Sequence, residues 1–317
     1  MGNVNIVEYK VEYKNSCIDL LDKTFPSEPN KDAFEWRFEN KIANRPIIVC
    51  GIDNNKVVAF NSWIPWKFTY KNEIFIGYQS GKSATDVNYR RQGIFEKILK
   101  KADDLFKIYD VDFLFGFPGA MSYGVVSKTG YCPIGVYNSY LRLINPLNKR
   151  LLELNKINHY EEINFNSILD KNKISSIFDR DYFQWRYIDN PKQYDFVFYE
   201  ENNNKALFIV RETKNMKFSL TIKELLLLDC HFSSFNQLFV ENAMNYLCQA
   251  YASRAHYIIT FFNPDSDKGR ALKKFFHIRR ANRYETLMFK PIKCRLNDAI
   301  FFNYNNWDIF PHVKDAS

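Results

Sequence analysis

The sequence predicts an α+β fold, layered as in α/β proteins, built from two similar units in tandem. Each unit is expected to hold a mixed, mostly antiparallel sheet flanked by helices. Three observations predict this. A chain of 317 residues accommodates two ordinary domains. A segment recurs 149 residues further on, so that Trp36 corresponds to Trp185. Hydrophobic residues make up 46% of the chain and aromatic residues 17%, enough to fill two cores and too many for a disordered chain.

The repeat begins with residues 32–38, DAFEWRF, which reappear as residues 181–187, DYFQWRY. The same offset pairs further segments without a gap: 47–50 with 196–199, the Asn-rich turn 54–56 with 203–205, and 57–60 with 206–209. Each copy therefore reads as a helix ending in an aromatic-Arg-aromatic step, followed by a hairpin of two strands. Because both copies contain the Trp-Arg step, we interpret it as structural and not as a ligand site.

The later parts of the two copies correspond more loosely, residues 112–117 with 257–262 and 138–143 with 285–288. The polar, basic segment 145–150 lies between the copies. It predicts a boundary that divides the chain into units 1–147 and 148–317.

Within the first copy, the predicted order is one helix, four strands, a helix, a strand, a helix and a strand. Residues 63–70 and 75–85 form a hairpin around Lys71-Asn72. Apolar residues then recur at three- and four-residue spacings from residue 94 to residue 109. This periodicity predicts an amphipathic helix packed on a sheet.

The charge and cysteine content limit the function classes. A net charge of +8 suits anionic partners. Nucleic acid is not expected, because the aromatic residues follow core periodicity instead of alternating with arginines. The six cysteines contain no C-x-x-C pair, so we expect reduced thiols and neither a metal nor a disulfide framework. No apolar run approaches the ~20 residues that span a bilayer, so we expect a cytoplasmic protein without membrane insertion.

The chemistry-bearing motif is the turn between the strand ending near Thr85 and the helix opening at about Gly93. The first amides of a helix have no internal acceptors, and the helix dipole leaves positive charge there. Gly93 allows close approach of a ligand, and Arg90 and Arg91 add two cations. The turn predicts a pyrophosphate cradle, with an ordinary basic helix cap as the alternative.

This turn resembles motif A of the GNAT acyltransferase superfamily, Q/R-x-x-G-x-G/A, with Arg90 and Gly93 in the first and central positions. Phe95 departs from the pattern at the third, small position. A second patch, residues 115–123 followed by 128–131, resembles the strand-five and helix-four region of the same proteins. The resemblance covers residues 1–150. It implies acyl-CoA as co-substrate, with pantetheine pairing to the backbone at Thr85 and Val87. Pyrophosphate would be held at Arg90, Arg91, Gln92, Gly93, Ile94 and Phe95.

The resemblance also implies that an amine attacks the thioester directly, with the amide at or beside Thr85 stabilising the oxyanion. The tyrosine that relatives often use as the acid falls at Val126, so Tyr123, preceded by Ser122, is the nearest replacement. A packing role for Tyr123 is the alternative. The general base is left open among several candidates: Asp86, Glu73, His231 and His256.

The second copy has neither glycine nor arginine in the corresponding loop, residues 229–235, and a helix is expected from about Phe235 with Ser233 or Ser234 as its cap. We expect this unit to keep the fold without binding the cofactor. It would build one wall of the acceptor site or stabilise the first unit.

For the acceptor, the two patches resemble N-acyltransferases that modify dTDP- or UDP-linked amino sugars for surface polysaccharides. Three alternatives stay open: an aminoglycoside or other small-amine N-acetyltransferase, a non-catalytic CoA-binding module, and a Fem-type aminoacyl transferase. The turn from Arg90 to Gly93 disfavours the last, because those enzymes work without CoA.

Overall fold

The structure, a computed structural model, describes residues 4–26, 30–39, 45–148, 172–217, 220–293 and 299–315. The first elements in chain order are β1 (Asn5–Glu8), α1 (Lys14–Thr24), α2 (Asn30–Phe38), β2 (Ile47–Asp53), β3 (Lys56–Tyr70), β4 (Glu73–Thr85), α3 (Ile94–Ile108), β5 (Phe113–Gly116), α4 (Ala120–Lys128) and β6 (Cys132–Leu143). The later ones are β7 (Ile174–Ser176), α5 (Arg180–Phe183) continued by a π-helical turn (Gln184–Ile188), β8 (Asp195–Glu201), β9 (Asn204–Lys217), β10 (Leu220–Phe232), α6 (Gln237–Ala250), β11 (Tyr257–Phe261), α7 (Asp267–Phe275), β12 (Ile278–Pro291), β13 (Trp307–Asp308) and α8 (Pro311–Asp315).

These strands form one 13-stranded sheet in the order β1-β2-β3-β4-β5-β12-β6-β11-β10-β9-β8, with β7 and β13 attached beside β3. Most neighbours are antiparallel, and the parallel pairs are β4–β5, β10–β11 and β7–β13. The predicted fold class, a mixed and mostly antiparallel sheet flanked by helices, is confirmed. Within the described ranges, no helix has the length and apolarity needed to cross a bilayer.

The centre of the sheet is built by an exchange of strands. β12 pairs with β5, Met288 opposite Gly116. β6 pairs with β11, Ser139 opposite Phe261, and β6 and β12 pair with each other. The run β8–β12 thus repeats the element order of the run β2–β6, and the last strand of each run covers the open edge of the other. The predicted boundary at 147/148 adjoins residues 149–171, which lie outside the described residues.

The Asn-rich turns show where the sequence match slips by one residue. The central residues of the first turn, Asn54 and Asn55, have φ of 48° and 61°, and those of the second, Asn202 and Asn203, have φ of 49° and 64°. Equivalent turns are therefore 148 residues apart, not 149. Two-residue hairpins select two positive-φ positions, which asparagine tolerates. Because residues 202–204 are all asparagine, the sequence alignment of the two copies can be shifted by one residue here and still pair asparagine with asparagine.

Three elements differ from expectation. β3 is one strand, Lys56–Tyr70, although the sequence predicted two separate strands over 57–60 and 63–70. The side chains of Asn61 and Ser62 are fully buried inside the strand, so their polarity did not mark a turn. Neither β1 nor α1 was predicted. α1 packs Cys17, Leu20 and Leu21 against β2 and β3, on the sheet face opposite α3.

The two Trp-Arg steps hold the runs together, which confirms their structural interpretation. The rings of Trp36 and Trp185 stack with centroids 5.3 Å apart. Each indole donates to the other residue's carbonyl: Trp36 Nε1 to Trp185 O at 2.6 Å and Trp185 Nε1 to Trp36 O at 3.2 Å. Arg186 is fully buried and donates through Nη2 to His312 O at 2.9 Å. α2 and the π-helical turn are thereby fixed against each other.

Candidate active site

The candidate site is a cleft that opens where β4 and β5 part. The two strands pair only from Gly77–Gln79 to Phe113–Phe115. β4 then continues to Thr85 in pairing with β3 alone among the described strands. A bulge occurs there, since Trp63 faces Ser80 while Asn61 faces Ser83. Bulges bend the strand that carries the extra residue, and this one lies in the part of β4 beyond its pairing with β5.

The edge of β4 presents backbone polar groups to this cleft. Asp86 N donates to Val58 O of β3 at 2.9 Å. Because backbone groups alternate in direction along a strand, those of Thr85 and Ser83 point the other way, toward the cleft. Thr85 O accepts from Arg90 Nε at 3.0 Å, which leaves the Thr85 amide at the edge. Thr85 therefore lies at the end of β4, where the sequence predicted it. Ser83, two residues earlier, presents its backbone to the same side of the strand and was not predicted as a site residue, although the two-residue period of a strand indicates it.

The loop after β4 is held by its own hydrogen bonds. Val87–Tyr89 form a 3₁₀ turn. Asp86 Oδ1 accepts from Asn88 N at 3.0 Å, and Gln92 Nε2 donates to Asn88 O at 2.9 Å. Asp86, one of the candidate bases, thus caps this loop. The Val87 side chain is 69% exposed at the rim.

Helix α3 begins at Ile94 with Gly93 as its N-cap, which confirms the opening at about Gly93. Gly93 has φ of 70°, and an added Cβ would meet no heavy atom within 4 Å. Helix geometry leaves the first-turn amides without intrahelical acceptors. Ile94 anchors this turn, since its side chain is 3% exposed in the core beneath α3, and Phe95 packs against the same cluster. Open space therefore faces unpaired amides, which fits a phosphate.

Cations flank this helix start. Arg90, Arg91 and Gln92 are all exposed. Arg90 is held by its bond to Thr85 O, and Arg91 adopts φ of 62°. This left-handed conformation of Arg91 turns the chain sharply just before Gln92 and Gly93. The predicted cofactor residues are thus contiguous on one rim of the cleft.

Helix α4 supplies the other predicted residues just beyond β5. Ser122 Oγ donates to Gly119 O at 3.2 Å, a bond within the first turn of the helix. Tyr123 is 37% exposed, whereas Val126 is 7% exposed within the core under α3. Tyr123 is therefore partly accessible on α4, and Val126 is a core residue.

The corresponding helix of the second run starts differently. α6 begins at Gln237, and Asn236 Oδ1 accepts from the amides of Leu238 and Phe239 at 3.0 and 3.2 Å. Asn236 is the cap, and not Ser233 or Ser234. Ser233 Oγ instead accepts from Lys205 N at 2.7 Å. The amides that are open in α3 are occupied here, because an asparagine precedes the helix where α3 has glycine.

Two of the candidate bases lie away from the cleft. Glu73 starts β4 opposite Tyr70, 12 residues and about 40 Å of strand from Thr85. His256 lies in the loop before β11, where its Nδ1 accepts from Lys223 N at 3.0 Å. Glu73 and His256 are therefore not brought to the cleft.

The remaining candidate, His231, belongs to a buried cluster around Asp229. The carboxylate lies 3.2 Å from His231 Nε2, 3.2 Å from His312 Nδ1 and 3.6 Å from Lys268 Nζ. Burial alone would raise the pKa of Asp229, but these neighbours outweigh burial and hold it well below its usual range. The His231 ring packs on Phe178 at 4.0 Å. His231 is thus placed to stabilise the core of the second run.

This cluster predicts a pH dependence of stability. Burial lowers the pKa of His312 to about 4, although Asp229 opposes the shift. The unfolded chain therefore binds more protons than the folded chain between about pH 6.5 and 4. The free energy of unfolding should be highest above pH 6.5 and should fall by on the order of 3 kcal/mol as the pH is lowered to 4. Urea titrations across this range measure it. His312→Gln should flatten that slope, and an unchanged slope would refute the assignment to His312.

Residues 5–134 match the family model described as an acetyltransferase (GNAT) domain. A comparison with curated protein sequences gives no match.

Several solved structures share the fold. A protein from Enterococcus faecalis V583, described as a probable N-acyltransferase, aligns with a TM-score of 0.67 at 13% identity, covering 92% of this chain and 73% of its own. A GCN5-related N-acetyltransferase from Anabaena variabilis gives 0.63 at 8% identity, with coverages of 92% and 73%. The Saccharomyces cerevisiae N-myristoyltransferase with bound myristoyl-CoA gives 0.56 at 11% identity, with coverages of 92% and 84%. Residues 5–134 thus resemble a GNAT acetyltransferase domain, and the described chain shares its fold with these solved structures.

Proposed function

We propose that this chain is an acyl-CoA-dependent N-acyltransferase. In this proposal residues 1–147 form the unit that binds acyl-CoA, and residues 148–317 form a GNAT-like unit without a cradle. The observation that carries it is the cleft between β4 and β5, which ends at the uncapped start of α3 beneath Gly93. The family match of residues 5–134 and the likeness to an enzyme solved with myristoyl-CoA support it.

Bound acyl-CoA would supply an activated thioester carbonyl. The edge groups of Ser83 and Thr85 would pair with pantetheine, and the amides from Gln92 to Phe95 would hold pyrophosphate beside Arg90 and Arg91. The Thr85 amide would donate to the oxyanion as an acceptor amine attacks the carbonyl. The C–N bond would form, the C–S bond would break, and the nitrogen would release one proton to solvent. Tyr123, or Ser122 beside it, would give the departing thiolate its proton.

For the acceptor, we infer an amino sugar carried on dTDP or UDP. The resemblance of both sequence patches and the net charge of +8 support it, because acyl-CoA and a nucleotide sugar are both anionic. The test is thiol release from acetyl-CoA and longer acyl-CoAs with nucleotide-linked amino sugars, aminoglycosides and lysine peptides. Acceptor-dependent release supports the enzyme. CoA binding with no release from any acceptor would favour the non-catalytic module.

A variant tests the acid. Tyr123→Phe removes only the hydroxyl from a partly exposed side chain, so the fold and CoA affinity should persist. Loss of a general acid costs roughly 10²-fold or more in rate, and we expect kcat for thiol release to fall by that order with KM for acyl-CoA unchanged. A kcat within twofold of the parent value would leave Tyr123 with a packing role.

A further inference from the structure

A cavity of about 280 Å³ lies over the central strands, outside the cleft described above. Its lining includes Ser139 of β6, Phe261 of β11, Arg211 of β9, Arg283 and Glu285 of β12, and Lys192 from the loop before β8. The loop that carries Lys192 is fixed by the buried Asn190, which accepts from Lys192 N at 2.9 Å and donates to Arg186 O at 3.1 Å. The cavity is thus built by both strand runs at the point where they exchange strands.

This cavity adjoins the mouth of the cleft. Met288 of β12 pairs with Gly116, the last residue of β5. Because the two strands are antiparallel, Glu285, three residues before Met288, lies about 10 Å beyond the C-terminal end of β5. Phe117, which follows Gly116, packs its ring against Phe261 of the cavity wall at 6.0 Å. An aromatic contact therefore links the residue after β5 to the cavity wall.

The cavity and the phosphate cradle lie on opposite faces of the sheet. Met288 packs in the cluster beneath α3, whereas Leu287 packs in the aromatic cluster on the other face. Side chains alternate along a strand, so Glu285 shares the face of Leu287. A cofactor entering from α3 and an acceptor entering from the cavity would meet at the cleft without competing for space.

The charges of the cavity select its occupant. Three lining side chains are cationic and one is a carboxylate. Arg283 is also paired with Glu224 at 3.5 Å, so it is held in place. Arginine and lysine together favour phosphate or carboxylate groups, which arginine can bind with two parallel hydrogen bonds. Glu285 would face the ammonium group. A polycationic acceptor would meet an excess of like charge.

We propose that this cavity is the acceptor pocket, and that the acceptor is an amine that also carries a phosphate or carboxylate. This rests on the proposed acyltransferase function and deepens it. Ligand pockets are commonly about 300–1,000 Å³, so this one suits the compact amine-and-anion part of the acceptor. A nucleotide-linked amino sugar satisfies that chemistry with its nucleoside outside the cavity, whereas an aminoglycoside does not.

The test is calorimetric binding to protein saturated with CoA, which blocks the cradle against added anions. Three probes differ in one group: phosphoethanolamine, β-alanine and ethanolamine. The proposal expects binding of phosphoethanolamine or β-alanine, whichever anion the pocket accepts, and at least tenfold weaker binding of ethanolamine. Ethanolamine binding equally well, or none of the three binding, would overturn it.

Variants then place the site. Arg211→Gln should weaken the anionic probe at least tenfold. Arg279→Gln is the matched control. It removes the same positive charge as Arg211→Gln, but Arg279 is exposed on β12 outside the cavity. Equal effects of the two variants would refute the cavity assignment. CoA affinity, measured in a separate titration of the CoA-free protein, distinguishes the two proposals. Failure to bind CoA contradicts the proposed acyltransferase function, whereas CoA binding without binding of the anionic probes contradicts the pocket alone.

Discussion

Replacing Gly93 with valine should weaken CoA binding by about 10²-fold while the protein stays folded. Gly93 has φ of 70° at the N-cap of α3, a conformation that costs a side-chain-bearing residue about 1–2 kcal/mol. The added side chain would also occupy the open space through which phosphate reaches the first amides. Each 1.4 kcal/mol is a factor of ten in affinity, so obstruction that costs about 3 kcal/mol of binding free energy gives the expected loss, whereas the backbone strain lowers the stability of free and bound protein alike. Calorimetric titration with CoA measures it.

The matched control is Gly124→Ala on the outer side of α4. An added Cβ there also meets nothing within 4 Å, but the backbone is helical. Alanine favours a helix over glycine by roughly 0.5–1 kcal/mol, so this variant should bind CoA normally and melt no lower than the parent. If Gly93→Val bound CoA as tightly as Gly124→Ala, the start of α3 would not be the phosphate site.

Trp185→Ala should cost about 3–5 kcal/mol of unfolding free energy, the range for a buried aromatic truncated to alanine. Trp185 is 4% exposed, stacks on Trp36, and meets the ring of Trp66 at 6.0 Å. Truncation leaves a cavity between α2 and the π-helical turn and removes the indole donor to Trp36 O. Urea unfolding of parent and variant measures the difference.

Trp185→Phe separates ring packing from hydrogen bonding. It keeps an aromatic ring and loses the Nε1 donor, so a smaller loss of about 1–2 kcal/mol is expected. A loss below 1 kcal/mol for Trp185→Ala would contradict the role of the tryptophan pair in joining the two runs.

Much of this fold could be predicted because its signals are local. Gly93 after two arginines, at a change from strand to helix periodicity, marks the start of α3. The repeated Trp-Arg step marks equivalent helices, and its presence in both copies indicated a structural role. In each case the residue types and their spacing carry the information within a window of a few residues.

The exchange of β6 and β12 has no such signal. Ser139 and Phe261 pair across more than a hundred residues, and each strand alone reads as an ordinary meander strand. The cavity beside the cleft depends on that exchange, so Arg211 and Glu285 could not be associated from sequence. Asn236 was missed because two serines precede it and compete as caps. These features depend on contacts between distant segments, which hydrophobic periodicity does not encode.

The most direct test of the central claim is a crystal structure of the protein with CoA. The account predicts pantetheine between the end of β4 and β5, against the backbone of Ser83 and Thr85, and pyrophosphate at the first amides of α3 beneath Gly93. CoA bound elsewhere, or crystals that stay free of CoA at saturating concentration, would contradict it.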